Sequence, residues 1–280
     1  MRLAACIGLL FAGLTACGDP RPATPPGPDT SAWRACLRPS ALPGVEVETA
    51  PHLTLEVEGV PVVTGSLGQR GPDVDPPEST VRLAAVGGAL TFGVGLPAEE
   101  AWPHALAAQL NHSMLSGGKA VAALDLSVPF ASARDVIGVA LRRATSWRPW
   151  LMVLELDAST TGGATLEDLE APLNELRAAA QAIECGVLVV VTQPFERTVA
   201  GDRSLAAEQQ LLLRAADRAG LATLELDEDY RARPPAGALV AETRDQHVPH
   251  ATADAQRWVL ERVKQRLFHT GLLAEALGSR

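Results

Sequence analysis

The 280-residue chain is long enough for one large domain or two small ones, and we favour a single domain. Its 47% apolar content is ordinary for a globular protein with a sizeable core. Its 33 acidic residues against 24 basic residues give a net charge of −9. Sequence-independent nucleic-acid binding needs clustered Lys and Arg, and no basic block occurs. We therefore exclude DNA and RNA as partners.

The N-terminus carries the most specific local signal. Arg2 precedes an apolar run over 3–14 that is too short to span a bilayer and is typical of a signal-peptide core. The run ends in Leu-Thr-Ala-Cys at 14–17, which resembles the lipobox of bacterial lipoproteins. That resemblance implies a signal peptide over 1–16, a lipid group on Cys17 and an exported chain anchored to a membrane of the bacterial cell envelope. The alternative is an ordinary cleaved signal peptide with an incidental cysteine.

The segment after Cys17 is typical of a spacer. Residues 18–31 contain five prolines and two glycines among small polar residues, a composition that buries too little surface to fold. We assign 17–44 to the lipidated cysteine and a proline-rich tether, 45–80 to a small β segment and 81–280 to the main domain. Within the β segment, apolar and polar residues alternate over 53–58, and Gly59 separates them from 60–63, which predicts a hairpin.

Cys36 and Cys185 are the free cysteines of the predicted mature chain. An oxidising compartment permits a disulfide between them. Because separation in sequence says nothing about distance in space, two unpaired thiols fit the sequence equally well.

From residue 81 onward, short apolar runs alternate with longer segments of helical period. The predicted strands are 81–86, 120–126, 150–156, 187–192 and 222–226, and the predicted helices are 103–111, 132–146, 166–184, 205–219 and 252–268. Such alternation is typical of βαβ units. We predict a three-layer α/β/α sandwich around a flavodoxin-like sheet of five parallel strands, preceded by the small β addition, with ligands bound at the carboxyl ends of the strands.

Three segments around the first of these strands form an ordered series: 64–72 (TGSLGQRGP), 81–95 (VRLAAVGGALTFGVG) and 100–103 (EAWP). Together they resemble the SGNH (GDSL-type) hydrolases, in which the middle segment reads Gly-Asp-Ser-Leu/Phe-Thr-x-Gly. The resemblance covers roughly 64–268, strongly at both ends and weakly in the middle. It implies the SGNH hydrolase fold and ester hydrolysis by a serine nucleophile. We predict no cofactor.

Alanine occupies the family's nucleophile position. Aligned on 90–93 (LTFG), the family's Asp-Ser pair falls on Gly88 and Ala89, and a methyl group cannot attack a carbonyl. The family's second block supplies an oxyanion-hole glycine, where 125–130 (DLSVPF) place Ser127. The backbone N–H of Ser127 can still donate, provided that the site does not require positive φ.

The third and fourth blocks also depart from the family. After the third strand, the expected Gly-x-Asn-Asp reads Asp-Ala-Ser-Thr at 157–160, so Ser159 replaces the oxyanion-hole asparagine. Asp157 adds a negative charge where further negative charge would develop during catalysis. Before the last helix, Asp245 matches the aspartate of the family's Asp-x-x-His pair, but Val248 stands in place of the histidine. His247 lies one position away.

The departures define five vestigial positions of a degraded catalytic site: Ala89, Ser127, Ser159, Asp245 and Val248. The main hypothesis is a non-catalytic SGNH-like lipoprotein that binds a glycan, acylated or other cell-envelope ligand, through residues that the sequence does not identify. The alternative is an active ester hydrolase with relocated residues, in which one of the two serines pairs with His247 as a substitute base.

Two further patterns have simpler explanations. The residues Asp245, His247, His250 and Asp254 offer oxygen and nitrogen ligands, but they lack a cysteine cluster or His-x-x-x-His spacing. We therefore predict a polar loop and no metal site there. Trp147 and Trp150 flank an Arg-Pro pair before the third strand, where core packing is favoured over a platform for a sugar or an acyl chain.

Overall fold

The computed structural model describes residues 31–113, 119–194, 204–232, 240–242 and 249–278. The predicted signal peptide, Cys17 and residues 18–30 lie outside these ranges, as do Asp245, His247 and Val248. Within the described ranges, no helix combines the length and the apolar content needed to cross a membrane. The lipid anchor therefore stays a prediction from the sequence.

A small addition precedes the main sheet. Its elements are α1 (Ser31–Arg34), β1 (Leu37–Pro39), β2 (Val47–Thr49), β3 (Thr54–Val57) and β4 (Val60–Val63). β1 pairs with β2, and β3 pairs with β4, in both cases antiparallel. Glu58 and Gly59 form the turn between β3 and β4, and both have the positive φ that a two-residue hairpin turn requires. The predicted hairpin is confirmed.

The folded chain begins earlier than residue 45, the boundary that composition predicts. Trp33 and Cys36 lie within the segment assigned to the tether, yet both are fully buried. The Trp33 indole packs edge-on against Phe92 with the ring centroids 6.2 Å apart. Burial of this large apolar surface orders a stretch that its composition alone leaves extended. Cys36 and Cys185 are both buried, and no disulfide joins them.

Five parallel strands form the main sheet. They are β5 (Val81–Val86), β6 (Val121–Asp125), β7 (Leu151–Asp157), β8 (Gly186–Thr192) and β9 (Ala222–Glu225). Their order across the sheet is β6-β5-β7-β8-β9, which is the predicted flavodoxin-like arrangement. β7 and β8 are buried along almost their whole length, which explains why the sequence shows apolar runs instead of alternation.

Helices cover both faces of this sheet and make it the middle of three layers. The helices after α1 are α2 (Ala89–Phe92), α3 (Trp102–His112), α4 (Ala133–Val139), α5 (Leu166–Ala182), α6 (Ala206–Arg218), α7 (Leu226–Ala232), α8 (Ala253–His269) and α9 (Leu272–Gly278). One face is covered by α4, α5 and α6, which contribute Leu169 and Leu212 to the core. The other is covered by α3, α8 and α9, which contribute Leu106 and Val263. The predicted three-layer sandwich with a β addition is confirmed.

The predicted helix over 132–146 is not uniform. It begins as α4 and continues through a π-helical turn at Ala140–Ala144 and a 3₁₀ turn at Thr145–Trp147. The chain then passes through Arg148, whose φ of 54° lies in the left-handed region. This residue redirects the chain into β7 at the amino end of the sheet.

Candidate functional site

The turn between β5 and α2 holds the position where the resemblance expects a nucleophile. Ala89 is the first residue of α2 and is half-buried at the carboxyl end of β5. Gly87 allows the tight approach of the chain to β7, because a Cβ at this residue would lie 2.6 Å from the Glu155 Oε2 atom. The strand-turn-helix geometry is therefore present, and its first helical residue carries only a methyl group.

A carboxylate accepts the hydrogen bonds at the start of α2. The Gly88 N–H donates to Glu155 Oε2 at 2.7 Å, and the Thr91 hydroxyl donates to the same atom at 3.0 Å. Only 2% of Glu155 is exposed. Burial raises the pKa of Glu155 to about 7, Asp157 adds to the rise, and the hydrogen bond from Gly88 opposes it. This turn is thus held by a carboxyl group that titrates near neutral pH.

The second block places Ser127 deep in the protein. Ser127 is fully buried, and its hydroxyl donates to Asp125 Oδ1. Its backbone N–H donates to the same oxygen at 3.0 Å. Ser127 has no positive φ, so serine is tolerated there, as the sequence analysis required. The N–H that the sequence left available for an oxyanion is nevertheless engaged by the chain's own carboxylate.

The third block places Ser159 at the surface. Ser159 is exposed, and its hydroxyl donates to Asp157 Oδ1 at 2.8 Å. Its backbone N–H donates to the same oxygen at 2.7 Å. Of the two serines in the relocated-nucleophile hypothesis, only Ser159 is therefore accessible. Its hydroxyl and its N–H both face a carboxylate that would repel a developing oxyanion.

The fourth block is represented only in part. Asp245, His247 and Val248 lie outside the described residues, so their roles stay predictions. His250 lies in a short strand, β11 (Pro249–Ala251), paired with β10 (Val240–Glu242). Its ring packs closely on Gly95, where an added Cβ would lie 2.7 Å from the His250 Cγ atom. Asp254 forms an ion pair with Arg257, and the described residues contain no cluster of three metal-ligating side chains.

Two buried polar residues that the sequence analysis did not single out hold the loop after α2. Arg70 donates to the carbonyls of Gly93, at 3.0 Å, and Leu96, and its guanidinium carbon lies 4.6 Å from the Phe92 ring centroid. Gln256 on α8 accepts from the Trp102 N–H at 2.9 Å and donates to the Leu90 carbonyl at 3.0 Å. Arg70 stands in one of the segments that carry the resemblance, whereas no local pattern distinguishes Gln256.

Asp125 also faces a histidine from α3. His104 Nε2 lies 3.9 Å from Asp125 Oδ2, and neither atom has a hydrogen-bond partner among the described residues. Burial raises the pKa of Asp125, while His104 and the hydrogen bonds from Ser127 oppose the rise. The carboxyl ends of β6 and β7 thus carry three carboxylates: Asp125, Glu155 and Asp157.

Solved structures resemble this arrangement of strands and helices. A G-D-S-L family protein from Desulfitobacterium hafniense DCB-2 superposes with a TM-score of 0.51 at 13% identity, over 67% of this chain and 100% of that one. LAE5, an α/β hydrolase enzyme from the metagenome of Lake Arreo, superposes with a TM-score of 0.50 at 17% identity, over 69% and 96%. No family model and no curated protein matches the sequence. The chain has the fold of the SGNH (GDSL-type) hydrolases, as its sequence motifs imply.

Proposed function

We propose that the chain is a non-catalytic SGNH-fold lipoprotein of the bacterial cell envelope, whose carboxyl edge binds a ligand and performs no hydrolysis. One observation carries this proposal. At each of three blocks, a backbone N–H near the expected active site donates to a carboxylate of the same chain: Gly88 to Glu155, Ser127 to Asp125 and Ser159 to Asp157.

The arrangement opposes ester hydrolysis on electrostatic grounds. An oxyanion hole works because preorganised N–H groups point at the place where negative charge develops. Here each of the three N–H groups already donates a hydrogen bond to a carboxyl group of the same chain, and Ala89 supplies no nucleophile. Removal of a single oxyanion donor from a working enzyme costs about 10² to 10³ in turnover, and loss of the serine costs about 10⁶.

The same groups suit a neutral, hydroxyl-rich ligand. Sugar hydroxyls donate hydrogen bonds, and carboxylates accept them. Asp157 is half-buried and Ser159 is exposed, so this part of the edge is open to solvent. A cell-envelope glycan, acylated or not, is therefore the ligand class that we propose, and the predicted lipid on Cys17 would hold the domain near it.

The catalytic question is tested on the full chain, purified in detergent and treated with a fluorophosphonate probe and short p-nitrophenyl esters. We expect no labelled serine and the same slow hydrolysis for the chain and its Ser159→Ala variant. A label that Ser159→Ala or Ser127→Ala abolishes would instead establish the active hydrolase with relocated residues. The exposed hydroxyl of Ser159 is the observation that favours the active ester hydrolase as a second candidate function.

Two more measurements test the binding role and the anchor. Soluble cell-wall glycan fragments should bind the chain, and Asp157→Asn should weaken that binding because it removes a charged acceptor. Metabolic labelling with an alkyne fatty acid should mark the chain and spare a Cys17→Ser variant. Equal labelling of both forms would contradict the lipobox assignment, and absence of glycan binding would contradict the ligand class.

A further inference from the structure

A cleft opens at the amino end of the sheet, opposite the candidate site. It has a volume of about 730 Å³ and is lined by Glu78, Ser79, Arg82, Lys119, Arg148 and Trp150. Small-molecule sites commonly occupy about 300–1,000 Å³. The SGNH resemblance assigns no role to this end of the molecule.

Sheet register brings the cleft residues together. Arg82 is the second residue of β5, and its carbonyl accepts a hydrogen bond from the Trp150 N–H at 2.9 Å. Trp150 directly precedes β7, and Lys119 lies two residues before β6. The cleft is therefore built on the starts of three adjacent strands, which fixes the relative positions of its side chains.

The lining is strongly cationic for so acidic a protein. Arg82, Lys119 and Arg148 supply three positive charges against the single carboxylate of Glu78. The whole chain has a net charge of −9. No acidic side chain in the described ranges forms an ion pair with Arg82 or Arg148. A local excess of positive charge in a concave surface attracts anions.

Backbone carbonyls hold two of these cations in place. Arg82 Nη1 donates to the Trp147 carbonyl at 3.0 Å, and Lys119 Nζ donates to the Leu277 carbonyl at 3.1 Å. Lys119 Nζ also lies 4.9 Å from the Trp150 ring centroid. Cations near the ends of helices stabilise exposed carbonyls, which is the purely structural explanation of these contacts.

Stabilisation of helix-end carbonyls does not use every N–H donor of these side chains. A guanidinium has five N–H donors, and Arg82 uses one of them on the Trp147 carbonyl. The Arg82 Nε atom is buried and has no hydrogen-bond partner within the described part of the chain. Arg148 is exposed and ends the 3₁₀ turn at Thr145–Trp147 in a left-handed conformation, which costs a non-glycine residue free energy.

We propose that this cleft binds a phosphate-bearing ligand, either a free organic phosphate or the headgroup of a phospholipid. Two guanidinium groups and one ammonium group are the side chains that proteins use for phosphate. The volume exceeds that of phosphate alone, which leaves room for the organic part of the ligand. This site is independent of the function proposed for the carboxyl edge.

The test uses the full chain in a non-ionic detergent and isothermal titration calorimetry. The probes are inorganic phosphate, glycerol 3-phosphate and dioctanoyl phosphatidylglycerol. Lys119→Gln and Arg148→Asn each remove one cleft cation, and Arg214→Asn removes an exposed arginine on α6 as the matched control. Thermal melts show that each variant is folded.

We expect saturable binding that each cleft variant weakens by about tenfold and that the control leaves unchanged. Tighter binding of the short-chain lipid than of glycerol 3-phosphate identifies a headgroup site, and the reverse order identifies a soluble phosphate. Absence of saturable binding, or equal weakening by Arg214→Asn, would overturn the proposal. The proposal would also be overturned if both cleft variants are folded and bind the probes with the affinity of the parent chain.

Discussion

The two ends of the main sheet carry side chains of opposite charge, and at each end these side chains contact the ends of helical segments. At the carboxyl end, Glu155 accepts a hydrogen bond from the N–H of Gly88, directly before α2, and Asp157 accepts one from the N–H of Ser159, in a 3₁₀ turn at Ala158–Thr160. At the amino end, Arg82 and Lys119 donate to carbonyls at the ends of helical segments. In a parallel α/β fold, helix N-termini gather at the first end and C-termini at the second.

The two ends differ in how many hydrogen-bond donors remain available to a ligand after these contacts. Each carboxylate receives two or more donors from its own chain, so the N–H groups that would bind an anion are occupied. Arg82 uses one guanidinium donor on a carbonyl, and its Nε atom has no partner among the described residues. The end at which ligands of such sheets usually bind is thus closed to anions, and the opposite end is suited to them.

The largest expected effect concerns Glu155 at the carboxyl end. Its pKa is about 7 in the folded chain against an ordinary value of 4.5, so the unfolded chain favours the ionised form. The free energy of unfolding should therefore fall by up to about 3 kcal/mol as the pH rises from about 4.5 to about 7. Urea unfolding at pH 5 and pH 8 measures this drop.

Glu155→Gln should reduce that pH dependence, because an amide oxygen accepts from Gly88 without titrating. Asp125 and Glu225, whose pKa values burial also raises, keep their own contributions. The exposed Glu175→Gln on α5 is the matched control and should leave the pH dependence intact. If the Glu155 variant keeps the full dependence, another group causes it, and the carboxyl end is not held by a titrating carboxylate.

The second effect is the restoration of catalysis. Ala89→Ser with Val248→His supplies the missing nucleophile and base and should give weak hydrolysis of p-nitrophenyl esters. Adding Asp157→Gly and Ser159→Asn removes the opposing carboxylate and returns the family's amide. We expect this step to raise turnover by about 10²-fold, or about 2.7 kcal/mol of transition-state stabilisation.

The control for restoration carries the same changes with Ala89→Gly in place of Ala89→Ser, and it should be inert. Equal rates for the double and quadruple variants would show that Asp157 and Ser159 do not govern the oxyanion site. Folded but inactive quadruple variants would show that the blocks are misaligned.

The smallest effect separates strain from binding at the amino end. Arg148→Gly relieves the left-handed conformation and should raise the free energy of unfolding by about 1 kcal/mol. The same change should weaken phosphate binding, whereas Arg148→Ala should weaken binding without the gain in stability. A glycine variant that binds phosphate as the parent does would leave Arg148 with a purely structural role.

The strands were predictable because they are buried. β5 begins and ends where the apolar run does; β8 and β9 differ from prediction by one residue at one end, and β6 and β7 by one residue at each end. Parallel strands with helices on both faces produce such runs. In contrast, α2 has four residues and β1 and β2 have three each, which is too short to show a period.

The site was predictable only where a motif supplied the alignment. Ala89, Ser127 and Ser159 all lie just beyond the carboxyl ends of adjacent strands, as expected. Glu155 was missed because it interrupts an apolar run, and its partner Gly88 lies 67 residues away. Such a contact has no signature in a single sequence, since the fold and not the local pattern brings the two groups together.

The Gln256 side chain has a consequence for the order in which the protein folds. It joins Trp102 across 154 residues and Leu90 across 166, so these contacts at α2 and the start of α3 cannot form before α8 is present. Closing a loop of that length is slow compared with local folding. During synthesis, these contacts of the first half of the chain therefore form only after α8 has been made.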